Sequence, residues 1–521
     1  MTTQPIYEHD HLCPDVITKN ARTFKNNTAV VCGNRRLTWS ELDIETNKVA
    51  NALLDQGFTK NSKICMLIPN AIESFVLFWG VIKAGCVIVP LNMMLDGPTL
   101  ARLANSSDGE AFFVDTSMLK QVEAIKPQLS HIADKHFYAF EAGHQGWQDA
   151  NTLFQNASQL PPKVKLTPED SMTLIYTSGT TGTPKGIEHN HFGRLNYCYG
   201  FSAGLQINRY SVAICTTPIY ASGTWITMLP TIYNGGKVVL IPKFSPEAFL
   251  QAVASEGGTH SFMVPAQYIT LLQHDDHSYD TSSLKVLVSA GQSMSPATRT
   301  QLLQRFKNTG LHEVYGMTEG FFTIAVPKDY SDEREGTVGK PGFLEDIRII
   351  DLDNKELSTG ETGEIVAYGP GMMKGYYGRP DLTEETIWTS PEGKTFLRSG
   401  DLGYLDKDHF LYISGRKKDM IKSGGINIYA ADIEDVLMNH PGIKEVAVIG
   451  VPHPRWSETP VAIAILKEEN LHTENEILQW TNDQLAKYQR LSQVIFCTDF
   501  PRATYGKIKK DTLRELFKDL F

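Results

Sequence analysis

At 521 residues the chain is too long for one hydrophobic core, so two or more domains are expected. Hydrophobic residues make up 41% and charged residues 21%, the proportions of a folded globular protein rather than a disordered one. A formal charge of −10 argues against nucleic acid as a partner, because its phosphates call for a basic face.

The first pattern in chain order runs from Arg36 to Gly57. It opens on Leu37, Thr38 and Trp39 and turns helical at Ser40, a residue type that caps helices, with Leu42, Val49, Leu53 and Leu54 on one side. A strand is expected over Lys63–Pro69, a helix over Ile72–Ala84 and a strand over Cys86–Leu91. The same alternation returns downstream: strand Val238–Ile241 with a helix from Ser245, strand Ser261–Val264 with helix Pro265–Gln273, and strand Leu284–Ser289 with helix Ser295–Phe306. Such alternation is the mark of βαβ units around mostly parallel sheets. Between Gly336 and Tyr412 short strands such as Asp346–Ile350 and Glu364–Ala367 sit between Gly and Pro turns, which suggests a small β-rich subdomain. The turn-rich stretch Gly415–Gly425 separates this from a mixed unit with helix Ala430–Asn439, strands Glu445–Gly450 and Val461–Leu466, and a helix near Thr473. Thr473 and Glu476 there have capping-box spacing. The expected fold is therefore α/β: a large N-terminal domain over residues 1–417 and a small α+β C-terminal domain over 418–521.

The seven cysteines are scattered, odd in number and free of any CxxC pair, which argues against a disulfide framework and a zinc site. They read as small core residues, in keeping with a reduced, cytoplasmic setting. Met1–Asp10 has no signal-peptide pattern, and the most apolar stretch, Phe78–Leu95, contains Lys83 and Pro90 and reads as a buried helix end and strand. A membrane-spanning segment is not expected.

The chemistry concentrates in Tyr176-Thr-Ser-Gly-Thr-Thr-Gly-Thr-Pro-Lys-Gly186. Gly179 and Gly182 let backbone N–H groups approach phosphate oxygens, the hydroxyls of Thr177, Ser178, Thr180 and Thr181 donate to them, and Lys185 adds a point charge. Pro184 before the lysine rules out a Walker loop.

This loop resembles the phosphate loop of the adenylate-forming superfamily, which comprises acyl-CoA synthetases, peptide-synthetase adenylation domains and beetle luciferases. The resemblance runs from Leu37-Thr-Trp-Ser-Glu-Leu42 to Gly506-Lys507, with four further motifs in the family's order. It implies the following roles. In Tyr315-Gly-Met-Thr-Glu319, Tyr315 and Gly316 meet adenine, Thr318 meets the α-phosphate and Glu319 binds Mg²⁺; Ala290, Gly291 and Gln292 cover the other adenine face. In Arg398-Ser-Gly-Asp-Leu-Gly403, Asp401 accepts the two ribose hydroxyls, with Arg416 as a second contact. Lys418 holds the hinge of a mobile C-terminal domain, and Gly424 and Gly425 line the pantetheine tunnel in the thioester-forming state. In Pro501-Arg-Ala-Thr-Tyr-Gly-Lys507, Ala503 replaces a more usual Thr, while Lys507 matches the catalytic lysine that joins the substrate carboxylate and the α-phosphate.

The implied activity is that of an ATP-dependent acid–thiol ligase using Mg²⁺ and coenzyme A, with a small carboxylic acid as substrate; a homodimer is left open. The acyl pocket would begin after Pro218-Ile-Tyr-Ala-Ser-Gly223, and Ala221 stands where many acyl- and aryl-CoA synthetases have His. The Asp that binds an amino-acid ammonium in peptide synthetases is absent. Tyr220, Ala221, Trp225, Met317, Phe321 and Phe322 suggest an apolar lining, for which a medium- or long-chain fatty acid is the first expectation. An aryl or short thioether acid is the alternative, as is transfer to a carrier protein rather than to CoA.

Overall fold

The computed structural model describes residues 12–177, 184–276, 278–330, 334–424, 426–468, 471–502 and 508–521. Thr38, not Ser40, caps the first long helix, Trp39–Asp55: its hydroxyl accepts from the Glu41 N–H while the Glu41 carboxylate accepts from the Thr38 N–H. Both residues are cap types with a carboxylate three positions on, but Asp43 is taken up by Lys83 and Thr18, and Glu41 closes the box with Thr38. Downstream caps follow the sequence, with Ser245 opening Pro246–Glu256, Ser295 opening Pro296–Arg305 and Thr473 opening Glu474–Asn482.

The chain folds into two compact units. One takes in the chain to Glu335 together with Gly339–Asp346 and Tyr368–Ile387; the other comprises Gly336–Val338, Ile347–Ala367 and Trp388–Phe521. The β-rich segment thus groups largely with the C-terminal residues.

Among its described residues the first unit holds two sheets. In one, Lys237–Leu240, Val212–Cys215, His260–Met263, Val286–Ala290 and Gly310–Met317 run parallel in that order, and Phe321–Ala325 returns antiparallel beside the last. In the other, Val87–Pro90, Lys63–Leu67 and Gly109–Val114 run parallel, and Ser171–Thr177 joins Val87–Pro90 on one side and Lys185–Asn190 on the other. The largest apolar cluster draws on both sheets, with helices Trp39–Asp55, Ile72–Lys83 and Trp225–Asn234 supplying much of it. These helices pack closely: a Cβ on Gly80 would fall 2.4 Å from that of Val49. Lys83, nearly buried there, is neutralised by Asp43 at 2.6 Å. Cys65, Cys86, Cys198 and Cys215 are buried core residues, and no described helix is long and apolar enough to cross a membrane.

In the second unit one sheet gathers Asp346–Ile350, Gly363–Tyr368, Thr395–Leu405, Ile387–Thr389 and Leu411–Arg416. Another joins Ile421–Ser423, Ile426–Ile428, Ser457–Leu466, Ile443–His453 and Gln493–Phe496 beneath helices Ala430–Met438 and Glu474–Asn482. The sequence anticipated each of these C-terminal strands and helices that it named, mostly to within a few residues.

Candidate active site

Three of the expected site segments leave the carboxyl ends of parallel strands in the same sheet. Val212–Cys215 leads to Tyr220 and Ala221, Val286–Ala290 to Gly291 and Gln292, and Gly310–Met317 to Thr318 and Glu319. That edge is where open α/β sheets bind ligands, because the connecting loops leave a crevice there. Gly291 has φ +90° and open space around its α-carbon.

Thr318, Glu319 and Gly320 form the loop of a hairpin whose registered partners include Met317 with Phe321 and Gly316 with Phe322. Gly320 is obligatory in this loop: its φ is +121°, and a Cβ would lie 2.4 Å from the Gly371 carbonyl oxygen. The hydroxyls of Thr318 and Ser222 are 3.0 Å apart, which draws the Pro218–Gly223 segment onto the hairpin. The Met373 N–H donates to the Glu319 carbonyl at 2.6 Å, and the Tyr376 hydroxyl donates to Glu319 Oε1 at 2.7 Å. Burial and the Glu319 charge push the Tyr376 phenol far above its usual range, so it stays a donor.

Ser178, Gly179, Thr180, Thr181 and Gly182 lie outside the described residues. The segment's two ends, Thr177 and Lys185, face each other as registered partners of an antiparallel pair. The Lys185 ammonium lies 4.8 Å above the Tyr376 ring. The first unit therefore gathers the phosphate-loop lysine, the hairpin glutamate and a tyrosine between them.

The expected pocket residues divide. Tyr220, Ala221 and Met317 are partly exposed, and burial raises the Tyr220 phenol. Phe321 is buried, edge-on to Tyr315 at 6.0 Å. Phe322 stacks on Phe201 of helix His191–Leu205 with ring centroids 4.0 Å apart and planes 19° apart. Glycines make room for that stack: a Cβ on Gly200 would come within 2.8 Å of the Phe322 ring, and one on Gly342 within 2.2 Å. Gly204 receives Ile324 in the same way, at 2.3 Å. Trp225 is fully buried in the core, its indole N–H donating to the Ile219 carbonyl at 2.7 Å and its ring edge-on to Phe78. The Arg194 guanidinium lies over the same indole at 4.8 Å and donates to His189 Nδ1 at 3.0 Å; burial, then Arg194, hold that imidazole neutral.

In the second unit Asp401 and Arg416 are registered partners of adjacent strands, and Arg416 Nε meets Asp401 Oδ1 at 2.8 Å. Next to them two consecutive lysines diverge. Lys417 pairs with Glu364 at 2.8 Å, and Lys418 with Asp511 of the last helix, Lys510–Leu516, at 2.7 Å. Arg514 of that helix contacts both Asp511 and Asp419. Gly424, at φ +57°, packs beneath the Trp456 ring. Gly425 and Lys507 lie outside the described residues.

The family model "AMP-binding enzyme" matches residues 17–377, and the model of its C-terminal domain matches 432–507. The chain belongs to the AMP-binding enzyme family. Within this adenylate-forming family it is similar to a feruloyl-CoA synthase from Amycolatopsis sp, 33% identical over 96% of this chain and 98% of the relative. It is also similar to an indoleacetate–CoA ligase from Aromatoleum aromaticum, 30% identical over 96% and 97% of the two chains. The crystal structure of ATP-bound MatB from Rhodopseudomonas palustris superposes with a TM-score of 0.86 at 26% identity, over 97% of this chain and 99% of that one. This AMP-binding enzyme is an acid–thiol ligase of the AMP-forming kind.

Sequence reasoning missed Ser222, Phe201 and Tyr376. Ser222 stood inside a quoted motif with no sign of its partner, and Tyr376 is one of 20 tyrosines. Nothing local marks either as belonging to the Glu319 hairpin.

Proposed function

We propose that this ligase activates a carboxylic acid with a compact, planar apolar tail, an aryl or arylalkenoic acid, and transfers it to coenzyme A. The observation that carries the reading is the Phe322–Phe201 stack, seated against Gly200 and Gly342. The two rings belong to the apolar cluster that joins helix His191–Leu205 to strand Phe321–Ala325, and their stack closes that contact to an extended alkyl tail. Tyr220, Ala221 and Met317 are partly exposed and would offer a flat ring a mostly apolar surface. No carboxylate stands among Tyr220, Ala221, Trp225, Met317, Phe321 and Phe322 to hold a free amino acid's ammonium. The feruloyl and indoleacetate names of two relatives support the same class. A medium- or long-chain fatty acid is the competing reading, for which the stack would have to part.

The chemistry follows in two steps. The acid's carboxylate attacks the α-phosphorus of ATP and pyrophosphate leaves. Negative charge builds on the phosphate oxygens, and preorganised donors and cations lower that barrier. The backbone and hydroxyls of the Thr177–Lys185 segment hold the polyphosphate, and Lys507 brings the two anions together. Tyr315 stacks on adenine, the Ala290–Gln292 turn covers its other face, and Thr318 donates to the α-phosphate. Asp401 accepts from the ribose diol with Arg416 fixing its orientation, a reading supported by their 2.8 Å pair. Glu319 would hold Mg²⁺: its hard oxygen ligand suits that ion, which commonly completes its shell with phosphate oxygens and water. The ion would neutralise charge on the departing pyrophosphate. In the second step the C-terminal domain turns about Lys418, withdraws Lys507 and brings the Gly424–Gly425 loop to the thiol's path. The CoA thiol, of ordinary pKa about 8.5, gives up its proton as its sulfur attacks the acyl carbonyl and AMP leaves.

The test is pyrophosphate release over a panel of aryl, arylalkenoic and C2–C16 alkyl acids, with and without CoA. Highest kcat/KM for a C10–C16 alkyl acid sinks the aryl reading, and turnover only with a carrier-bound pantetheine sinks CoA as acceptor.

A further inference from the structure

We propose that Tyr376 is a positioning residue that keeps Lys185 and Glu319 apart, so that each charge stays available to a ligand. Opposite charges in one half-buried place collapse into a direct pair unless something separates them, and a paired lysine and glutamate offer little to a phosphate or a cation. Tyr376 takes both. Its hydroxyl donates to Glu319 Oε1 at 2.7 Å, and its ring presents a face to the Lys185 ammonium at 4.8 Å. The ring quadrupole attracts a cation without using any of its N–H donors. Among the described residues no ion pair joins Lys185 and Glu319 directly.

The backbone holds this spacer firmly. The two-residue strand Gly375–Tyr376 pairs antiparallel with Lys185–Asn190, with Tyr376 opposite Ile187, so ring and lysine belong to adjacent strands. The Lys374 N–H donates to the Glu188 carbonyl at 2.7 Å, and the Tyr377 N–H to the Gly186 carbonyl at 2.8 Å. The Tyr376 N–H donates to Thr383 Oγ1 at 2.9 Å. Two residues upstream of this strand, the Met373 N–H fixes the Glu319 carbonyl at 2.6 Å. One short segment therefore ties the strand after the phosphate loop to the Thr318–Gly320 hairpin, and Tyr376, only 6% exposed, stands at the join. The inference rests on the roles proposed above for Glu319 and Lys185.

The test uses the full-length enzyme with Tyr376→Phe, Tyr376→Leu and Glu319→Gln, followed by calorimetric ATP binding at a series of Mg²⁺ concentrations and by thermal unfolding. Phe keeps the ring and loses the hydroxyl. It is expected to raise the Mg²⁺ concentration for half-maximal ATP binding about ten-fold, the size of one lost hydrogen bond to a charged group. ATP affinity at saturating Mg²⁺ should stay within about two-fold, because the ring still holds Lys185. Leu loses both contacts and should weaken ATP binding even at saturating Mg²⁺. A Tyr376→Phe protein with unchanged Mg²⁺ dependence, whatever its unfolding temperature, overturns the proposal. If Glu319→Gln leaves the Mg²⁺ dependence unaltered, the metal role of Glu319 falls, and the Tyr376 proposal falls with it. If Glu319→Gln shifts it and Tyr376→Phe does not, only the spacer role is lost.

Discussion

Replacing Phe322 by Ala removes the ring that stacks 4.0 Å from Phe201 and leaves the space that Gly200 and Gly342 concede to it. Two effects of known size follow. Truncating a buried Phe costs about 3–5 kcal/mol of stability, since helix and strand close the gap only in part. The gap also admits substrate: three to four more methylenes, each worth about 0.8 kcal/mol when buried, amount to about 2.4–3.2 kcal/mol. The kcat/KM of an alkyl acid longer by that much should therefore rise, relative to a planar aryl acid, by on the order of a hundred-fold at most. The assay is pyrophosphate release below saturation for an aryl acid and a C4–C14 alkyl series. It should be run well under an unfolding midpoint measured for each protein. Because the comparison is a ratio between acids on one protein, partial unfolding cancels from it. If aryl and alkyl acids lose efficiency in parallel, the Phe322 ring does not wall the acyl site and the substrate argument built on it fails.

Lys507→Ala should abolish pyrophosphate release yet leave thioester formation from supplied acyl-AMP largely intact; equal loss of both half-reactions refutes a lysine that acts only in the first. Lys418→Pro, which fixes φ near −65° and stiffens the pivot, should spare adenylation and stop transfer to CoA. Lys417 pairs with Glu364 and Lys418 with Asp511, and normal turnover in the variant would show that the pivot lies elsewhere. Glu345 gives a pH prediction. One of its carboxyl oxygens is buried without a hydrogen-bond partner among the described residues, and burial pushes the group up to about 8. The native state then keeps a proton that the unfolded chain releases near the ordinary value, so this contribution is complete below about pH 4.5 and is lost as pH rises through about 8. Glu345→Gln should raise the unfolding temperature at pH 8 over wild type and make little difference at pH 4.5; the same gain at both pH values contradicts the assignment.

The chemistry of this protein was written locally. The glycine- and hydroxyl-rich loop with its lysine suits phosphate by composition, while the Tyr315–Glu319, Asp401 and Arg416 motifs take their expected roles from the family resemblance; the structure puts Asp401 and Arg416 in contact. Alternating strands and helices were equally legible, because side-chain periodicity and caps such as Ser245, Ser295 and Thr473 act within a few residues. The cap of the first long helix was not, since Ser40 with Asp43 repeats the spacing of Thr38 with Glu41, and Ser40 is the cap the sequence suggests. What the sequence could not decide is which residues meet across the sheet. Tyr376 reaches Glu319 across 57 positions and Ser222 reaches Thr318 across 96, contacts that exist only once the hairpin and its neighbours are registered. Trp225 shows the same limit from the other side. An indole at a helix start looks alike in a pocket and in a core, and only the packing of Phe78 and the Ile219 carbonyl around it settles that it is core. Phe322 became the candidate wall for the converse reason: three glycines distant in sequence, Gly200, Gly204 and Gly342, lack the atoms that would have kept strand and helix apart.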